Sequence, residues 1–139
     1  MKRLLLFSFL LVLWPALGAA ADFTVIVNKS NPVNEMSAAD VGARFMKKTT
    51  KWPDGTLVVP VDQIESAPVR ARFSGEILRK APAAVKSYWR QQIFGGLDVP
   101  PLEKASDREV IEFVRANPGA IGYVSNGDSL DGVKAVVVR

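Results

Sequence analysis

The chain has 139 residues, with 18 lysines and arginines against 14 aspartates and glutamates, and it contains neither cysteine nor histidine. The absence of histidine removes the usual general base and the commonest metal ligand, and the absence of cysteine removes disulfides. A net charge of +4 is far from the basic footprint of a nucleic-acid-binding protein. We therefore expect no catalytic residue, no metal, no cofactor and no nucleic-acid partner.

The N-terminus has the pattern of a secretory signal peptide. Lys2 and Arg3 precede an apolar run at 4–13, and the small residues at 19–21 fit cleavage after Ala21. The alternative is a membrane anchor, but the run is shorter than the roughly 20 residues that span a bilayer. Because a lipoprotein needs a cysteine for its lipid, we expect a soluble periplasmic protein that is not a lipoprotein.

The remainder of the chain is expected to form one domain. Removing residues 1–21 from 139 leaves 118, at 22–139, which is enough for a single modest core and too few for two. The removed segment carries two positive charges, so the net charge falls from +4 to +2. No internal repeat or low-complexity segment divides it further.

Strands and helices alternate along this domain. Apolar and β-branched runs predict strands, and apolar residues recurring every three or four positions predict helices. Ser37, and Ser106 with Glu109, are helix-capping patterns, and Pro68 fits a first helical turn. The predicted strands are 23–27, 57–61, 120–124 and 133–138, and the predicted helices are 37–46, 69–80, one opening at Pro82 and ended by Gly95-Gly96, and one opening at Ser106.

This order predicts an α/β fold in which a mixed sheet of about four to five strands is flanked by helices on both faces, giving three layers. In open sheets of this class, ligands bind beyond the carboxyl ends of the strands.

Six pieces of the sequence occur in the same order as in a known family. The chain resembles one lobe of the phosphate-type ABC transporter substrate-binding proteins, which have a type II periplasmic binding protein-like fold. The resemblance extends from about Phe23 to Val138. The pieces are the strand and loop 25–31, the helix 37–46, Trp52-Pro53-Asp54-Gly55, the strand 58–62, the helix start 65–72, and Gly119-Ala120-Ile121-Gly122-Tyr123-Val124.

The resemblance implies a single-lobe, exported solute-binding domain that recognises a small anion or polar solute without catalysis. Family members that hold phosphate carry an Arg after the strand and then Ser-Gly-Thr, whereas this chain has Asp62 or Gln63 and then Ser66-Ala67-Pro68. Pro68 removes an N–H group that would face an anion. The departure argues against tight phosphate binding by the family's mechanism.

The candidate ligand-binding residues follow the first two strands. We expect them to be Asn28, Ser30 and Asn31 in one loop, and Gln63, Ser66 and Arg70 in the other. Five of them have an ordinary structural alternative: the first three are common turn formers, Ser66 is a common helix cap, and Arg70 could pair with Glu65 on the surface.

Two carboxylates, Asp62 and Glu65, share the second loop and would repel an anion unless Lys29 or Arg70 neutralised them. A single lobe covers only one side of a solute, so a second copy or a membrane protein partner could complete the site. The alternative function is a periplasmic protein-interaction module that regulates a membrane sensor or transporter after the loss of ligand binding.

Overall fold

A computed structural model describes residues 22–139, so the predicted signal peptide lies outside the described residues. Within that part of the chain, no helix is long and apolar enough to cross a bilayer. The strands are β1 (Phe23–Asn28), β2 (Glu35–Met36), β3 (Val59–Gln63), β4 (Leu102–Lys104), β5 (Ala120–Ser125) and β6 (Val133–Val138), and the helices are α1 (Ala38–Phe45), α2 (Pro68–Phe73, continued by a π-helical turn at Ser74–Leu78), α3 (Pro82–Phe94) and α4 (Asp107–Ala116).

The strands form one mixed sheet in the order β2-β6-β1-β5-β3-β4. β1 runs antiparallel to both of its neighbours, β5 and β6. The other neighbouring pairs, β2 with β6, β3 with β5 and β3 with β4, are parallel. β1 therefore points in the opposite direction to the other five strands. We call the end where those five strands finish the carboxyl end of the sheet.

Helices cover both faces of the sheet. On one face, α1, α2 and α3 enclose an apolar cluster that includes Phe45, Phe73 and Tyr123, and the Phe73 and Tyr123 rings stack with centroids 3.8 Å apart. On the other face, α4 packs Val110 and Val114 onto the sheet. The predicted three-layer α/β fold with a mixed sheet is confirmed. The strand count is six, because β2 and β4 are too short to show a pattern in sequence.

β3 begins and ends two residues later than predicted, at Val59–Gln63 instead of 57–61. Leu57 forms only an isolated bridge with Lys51, and its side chain is 63% exposed. Pairing with β5 begins where Val59 meets Ala120. The shift moves Asp62 and Gln63 out of the loop and into the buried end of a strand.

Helix starts follow the sequence closely. Ser37 caps α1 by accepting the Asp40 N–H at 3.1 Å. Ser106 caps α4 by accepting the Glu109 N–H at 3.2 Å, while the Glu109 carboxylate accepts the Ala105 N–H at 2.8 Å. Both predicted caps are confirmed. The predicted helix at 69–80 is instead an α-helix followed by a π-helical turn.

Candidate functional site

The two predicted ligand loops lie at opposite ends of the sheet. In the β1–β5 pair Val27 lies opposite Ile121, so Asn28 is beside the start of β5. β3 runs parallel to β5, so Gln63 is at the carboxyl end. We expected both loops to lie at the carboxyl end of the sheet. This was wrong for the loop at 28–31, because β1 runs in the opposite direction to β3. The structure brings Gln63, Ser66 and Arg70 to one region and places the other three candidates elsewhere.

Asn28 ties its own loop to the end of α4. The Asn28 amide nitrogen donates to the carbonyl oxygens of Val114 and Arg115 at 2.9 and 3.0 Å. The Asn28 side-chain oxygen accepts the N–H and the hydroxyl of Ser30 at 3.0 and 2.7 Å. Asn28 is buried. Its amide nitrogen satisfies carbonyl groups at the C-terminus of α4, and its amide oxygen stabilises the turn at Ser30.

Asn31 has a similar local role. Its side-chain oxygen accepts the Val33 N–H at 2.9 Å, and its carbonyl oxygen accepts a hydrogen bond from the Lys134 ammonium. Asn31 is buried as well. The structure therefore favours the turn-forming alternative for Asn28, Ser30 and Asn31.

A buried polar network occupies the end of β3. One carboxylate oxygen of Asp62 accepts hydrogen bonds from the Tyr123 hydroxyl and, at 2.8 Å, from the Gln63 N–H. The Arg70 Nε atom lies 3.3 Å from the same oxygen. Asp62, Gln63 and Arg70 are 4%, 2% and 4% exposed. Buried polar groups are stabilised by hydrogen bonds within the protein; here the Asp62 carboxylate is hydrogen-bonded, whereas, in the part of the chain that the structure describes, the Arg70 Nε atom is held only by its charge contact with Asp62.

Burial and neighbouring charge shift the pKa values in this network. Burial raises the pKa of Asp62, while the Arg70 charge and the Tyr123 and Gln63 hydrogen bonds oppose that rise. Burial, followed by the Asp62 charge, raises the pKa of Tyr123 well above its ordinary value. Tyr123 therefore keeps its proton and acts as a donor to Asp62.

Arg70 faces inward and does not pair with Glu65, contrary to the surface alternative. One terminal nitrogen of its guanidinium donates to the Gln63 carbonyl oxygen and lies 3.3 Å from a Glu103 carboxylate oxygen on β4. Glu65 instead pairs with Lys86 on α3, also at 3.3 Å. Arg70 thus links β3, α2 and β4.

The Gln63 side chain is held by a second carboxylate. Its amide nitrogen donates to Asp107 at 2.6 Å and to the Tyr123 carbonyl oxygen at 3.0 Å, and the Ser125 N–H donates to the same Asp107 oxygen at 3.2 Å. Against the effect of burial, hydrogen bonds from Asp128, Gln63 and Ser125 lower the pKa of Asp107. Donors that could hold an anion at the carboxyl end are therefore bound by the protein's own carboxylates.

Ser66 is exposed in the loop before α2. The N-cap of α2 is Ala67, which provides no side-chain cap, so the helix-cap alternative for Ser66 is wrong. Its hydroxyl lies on the surface beside the buried network.

An open cleft of about 310 Å³ lies beside this network, between α2, α3 and β4. Arg70 and Glu103 form its floor, and Lys86 and Arg90 reach it from α3. Within residues 22–139, the Arg90 guanidinium forms no ion pair or hydrogen bond. The complete lining is Asp62, Glu65, Arg70, Lys86, Trp89, Arg90, Ile93, Pro100, Pro101 and Glu103.

Of the six predicted ligand residues, only Arg70 lines the cleft. Lys86 and Arg90 stand one turn apart on α3, a spacing visible in the sequence but also typical of any solvated helix face. Trp89 and Ile93 are also one turn apart on α3, a spacing typical of a helix face that packs against a core. Trp89 is buried, but Ile93 is 52% exposed at the rim of the cleft.

Comparison with known proteins gives the fold and no closer relationship. No protein-family model matches the chain, and no curated protein matches it. Among solved structures, a phosphate-bound substrate-binding protein from Clostridium perfringens, assigned to phosphate ABC transport, aligns with a TM-score of 0.68 and 23% identity over 84% of this chain and 44% of its own.

Two further structures agree. An ABC-type phosphate transport receptor from Vibrio cholerae aligns with a TM-score of 0.61 and 19% identity over 84% of this chain and 46% of its own. PstS from Borrelia burgdorferi aligns with a TM-score of 0.59 and 12% identity over 85% and 47%. The chain has the fold of the phosphate-type substrate-binding proteins over slightly less than half the length of these structures.

Proposed function

We propose that this protein is an exported solute-binding domain that holds a small anionic or polar solute, without catalysis, in the cleft between α2, α3 and β4. The observation that carries the proposal is a concave surface beside β3 that three cations line, Arg70, Lys86 and Arg90, of which Arg90 forms no ion pair within residues 22–139. Export to the periplasm, after cleavage of the predicted signal peptide, is part of the proposal.

The position and size of the cleft support this function. The cleft adjoins the last residues of β3, and ligands of open α/β sheets bind outside the carboxyl ends of the strands. Its volume of about 310 Å³ is at the lower end of the roughly 300–1,000 Å³ typical of ligand sites. A small solute fits, whereas a nucleotide-sized ligand would extend far into solvent.

Inorganic phosphate is a poor candidate for the buried donors at the carboxyl end. Asp62 already accepts from Tyr123 and the Gln63 N–H, and Asp107 already accepts from the Gln63 side chain. A phosphate ion there would have to displace a carboxylate and would meet its negative charge. Solute recognition is therefore assigned to the cations of the cleft.

A thermal-shift screen of the exported protein tests the proposal. The panel contains inorganic phosphate, sulfate and small carboxylates. A solute at ten times its Kd stabilises the folded state by about 1.4 kcal/mol, which raises Tm by roughly 3–6 °C for a domain of this size. Lys86→Gln and Arg90→Gln should each reduce the shift.

Arg108→Gln is the matched control, because Arg108 is an exposed cation on α4 outside the cleft. It should leave the shift unchanged. The proposal fails if no member of the panel raises Tm, or if the shift survives both substitutions in the cleft.

A second candidate function, docking to a partner protein, is favoured by an apolar surface that meets the cleft at Ile93. Five large apolar side chains between α3 and β4, which we call the apolar ridge, are exposed, and Phe94 is 92% exposed. Contiguous apolar surface of this kind often marks an interaction site. The ridge consists of Ile93, Phe94, Leu97, Val99 and Leu102.

A photo-crosslinking amino acid at Phe94, with one at the exposed Val137 of β6 as control, tests docking in the producing cell. The docking function predicts one partner captured from position 94 alone. That partner, once purified, should bind the wild type at least about tenfold more tightly than Phe94→Ser, a difference of about 1.4 kcal/mol. Equal binding of the two proteins would exclude it.

A further inference from the structure

Resting on the proposed solute-binding function, the geometry points to an organic monoanion with an apolar body, of which a short-chain carboxylate is the simplest example, as the class of solute that the cleft takes. The inference names the ligand chemistry of that same site. It follows from the mixed lining of the cleft, which combines apolar side chains with charged ones.

The apolar part of the lining comes from α3 and the loop before β4. It consists of Trp89, Ile93, Pro100 and Pro101. Trp89 and Pro101 are buried, but Ile93 is half exposed and Pro100 is exposed, so the surfaces of these two are in water when the cleft is empty. A solute with methylene groups would remove this apolar area from water, whereas an inorganic ion would gain nothing from it.

Among the charged residues that line the cleft, one cation is not already neutralised. Arg70 is bound to Asp62 and Glu103, and Lys86 is paired with Glu65. Arg90, on the same wall of α3 as Trp89 and Ile93, is left to bind an anionic group. A planar guanidinium can hold a carboxylate through two parallel hydrogen bonds.

The remaining charges of the cleft disfavour a multiply charged ion. Asp62, Glu65 and Glu103 offset Arg70, Lys86 and Arg90 in number, so the cleft is close to neutral overall. A single negative charge can be met by Arg90, but a second or third would face the three carboxylates. A monoanion with an apolar tail can contact both the unpaired Arg90 and the exposed apolar side chains of the lining.

The test is a calorimetric titration of the wild-type protein with acetate, butanoate and hexanoate, alongside inorganic phosphate. A fully buried methylene contributes about 0.8 kcal/mol, or about fourfold in Kd, and a half-covered one about twofold. Hexanoate has four more methylenes than acetate, so it should bind at least about 16-fold more tightly. Phosphate should bind more weakly than hexanoate.

Two substitutions test the charged and the apolar contacts separately. Arg90→Gln should weaken all three carboxylates by about fivefold, the effect of one exposed ion pair. Ile93→Gln should reduce the gain in affinity per methylene along the series from acetate to hexanoate. Val137→Gln is the control for Ile93→Gln, because it changes an equally exposed apolar side chain on β6.

The possible outcomes distinguish the two proposals. If phosphate binds in an Arg90-dependent manner and the carboxylates show no dependence on chain length, the solute-binding function stands and the inferred ligand class is wrong. If neither phosphate nor any carboxylate binds, both are wrong. A chain-length dependence that Ile93→Gln does not alter would also overturn the inferred class, since the apolar contact would then lie elsewhere.

Discussion

Asp62 is an acidic residue buried at the end of β3. Burial raises its pKa above the ordinary value of 3.8, so the folded protein holds this proton to a higher pH than the unfolded chain does. Its contribution to the free energy of unfolding is fully present below about pH 3.8 and is lost as pH rises through the folded pKa.

Asp62→Asn removes this titration. The free energy of unfolding of the wild type minus that of the variant should therefore fall as pH rises from about 3.8, measured by urea unfolding across a pH series. Asp131→Asn, which changes an exposed carboxyl, corrects for the loss of one surface charge. If this difference in the free energy of unfolding instead grew with pH, the charge of Arg70 would lower the pKa of Asp62 by more than burial raises it.

Gly119, just before β5, is required by a close backbone approach. A Cβ atom there would lie 2.0 Å from the Leu57 carbonyl oxygen, which belongs to the backbone and cannot rotate away. Gly119→Ala should lower the free energy of unfolding by about 1–3 kcal/mol, the range of overpacking substitutions. Gly75→Ala, where a Cβ would meet nothing within 4 Å, should change it by less than about 1 kcal/mol. If Gly119→Ala and Gly75→Ala lowered the free energy of unfolding by similar amounts, the close approach at Gly119 would be contradicted.

At the level of elements, α4 depends on its N-terminal cap. Ser106→Ala removes the hydroxyl that accepts the Glu109 N–H and should cost about 0.5–2 kcal/mol of stability in urea unfolding. Ser66→Ala serves as the comparison, because Ser66 precedes α2 without capping it. It should be neutral within about 0.5 kcal/mol. A loss at Ser66 as large as that at Ser106 would refute this assignment.

The elements also show what a sequence can reveal. α1 and α4 were predicted because a capping residue and its partner are three positions apart, so the pattern is local. The direction of β1 could not be predicted, because it depends on pairing with β5, which lies nearly 100 residues later in the chain. The bond between Tyr123 and Asp62 joins residues 61 apart. Asn28 was consequently assigned to the wrong end of the sheet.

Only part of the candidate site was predicted, because the rest depends on contacts between residues that are distant in sequence. Arg70 was identified because it follows a strand at a helix start, but its partners on β3 and β4 come together only in the fold. Trp89 and Ile93 match a core pattern, and α3 nevertheless buries only Val85 and Trp89. An amphipathic pattern shows which residues share a helix face without showing how far along the helix the core extends.

At the scale of the molecule, the openness of the cleft sets the expected affinity. The cleft between α2, α3 and β4 is open to solvent. Because tight sites usually cover most of a ligand's surface, we expect a Kd near 1 mM, about −4 kcal/mol. Calorimetry of the isolated protein measures it, and a nanomolar Kd would show that the cleft closes.

The most direct test of the central claim is to map a bound solute by NMR. The ¹⁵N-labelled protein is titrated with hexanoate, and saturable shifts of backbone amides are followed. The proposed site predicts that the shifts cluster at Glu65, Arg70, Glu103 and the stretch 86–93 of α3. Shifts centred on the loop 28–31, or an unchanged spectrum, would contradict it.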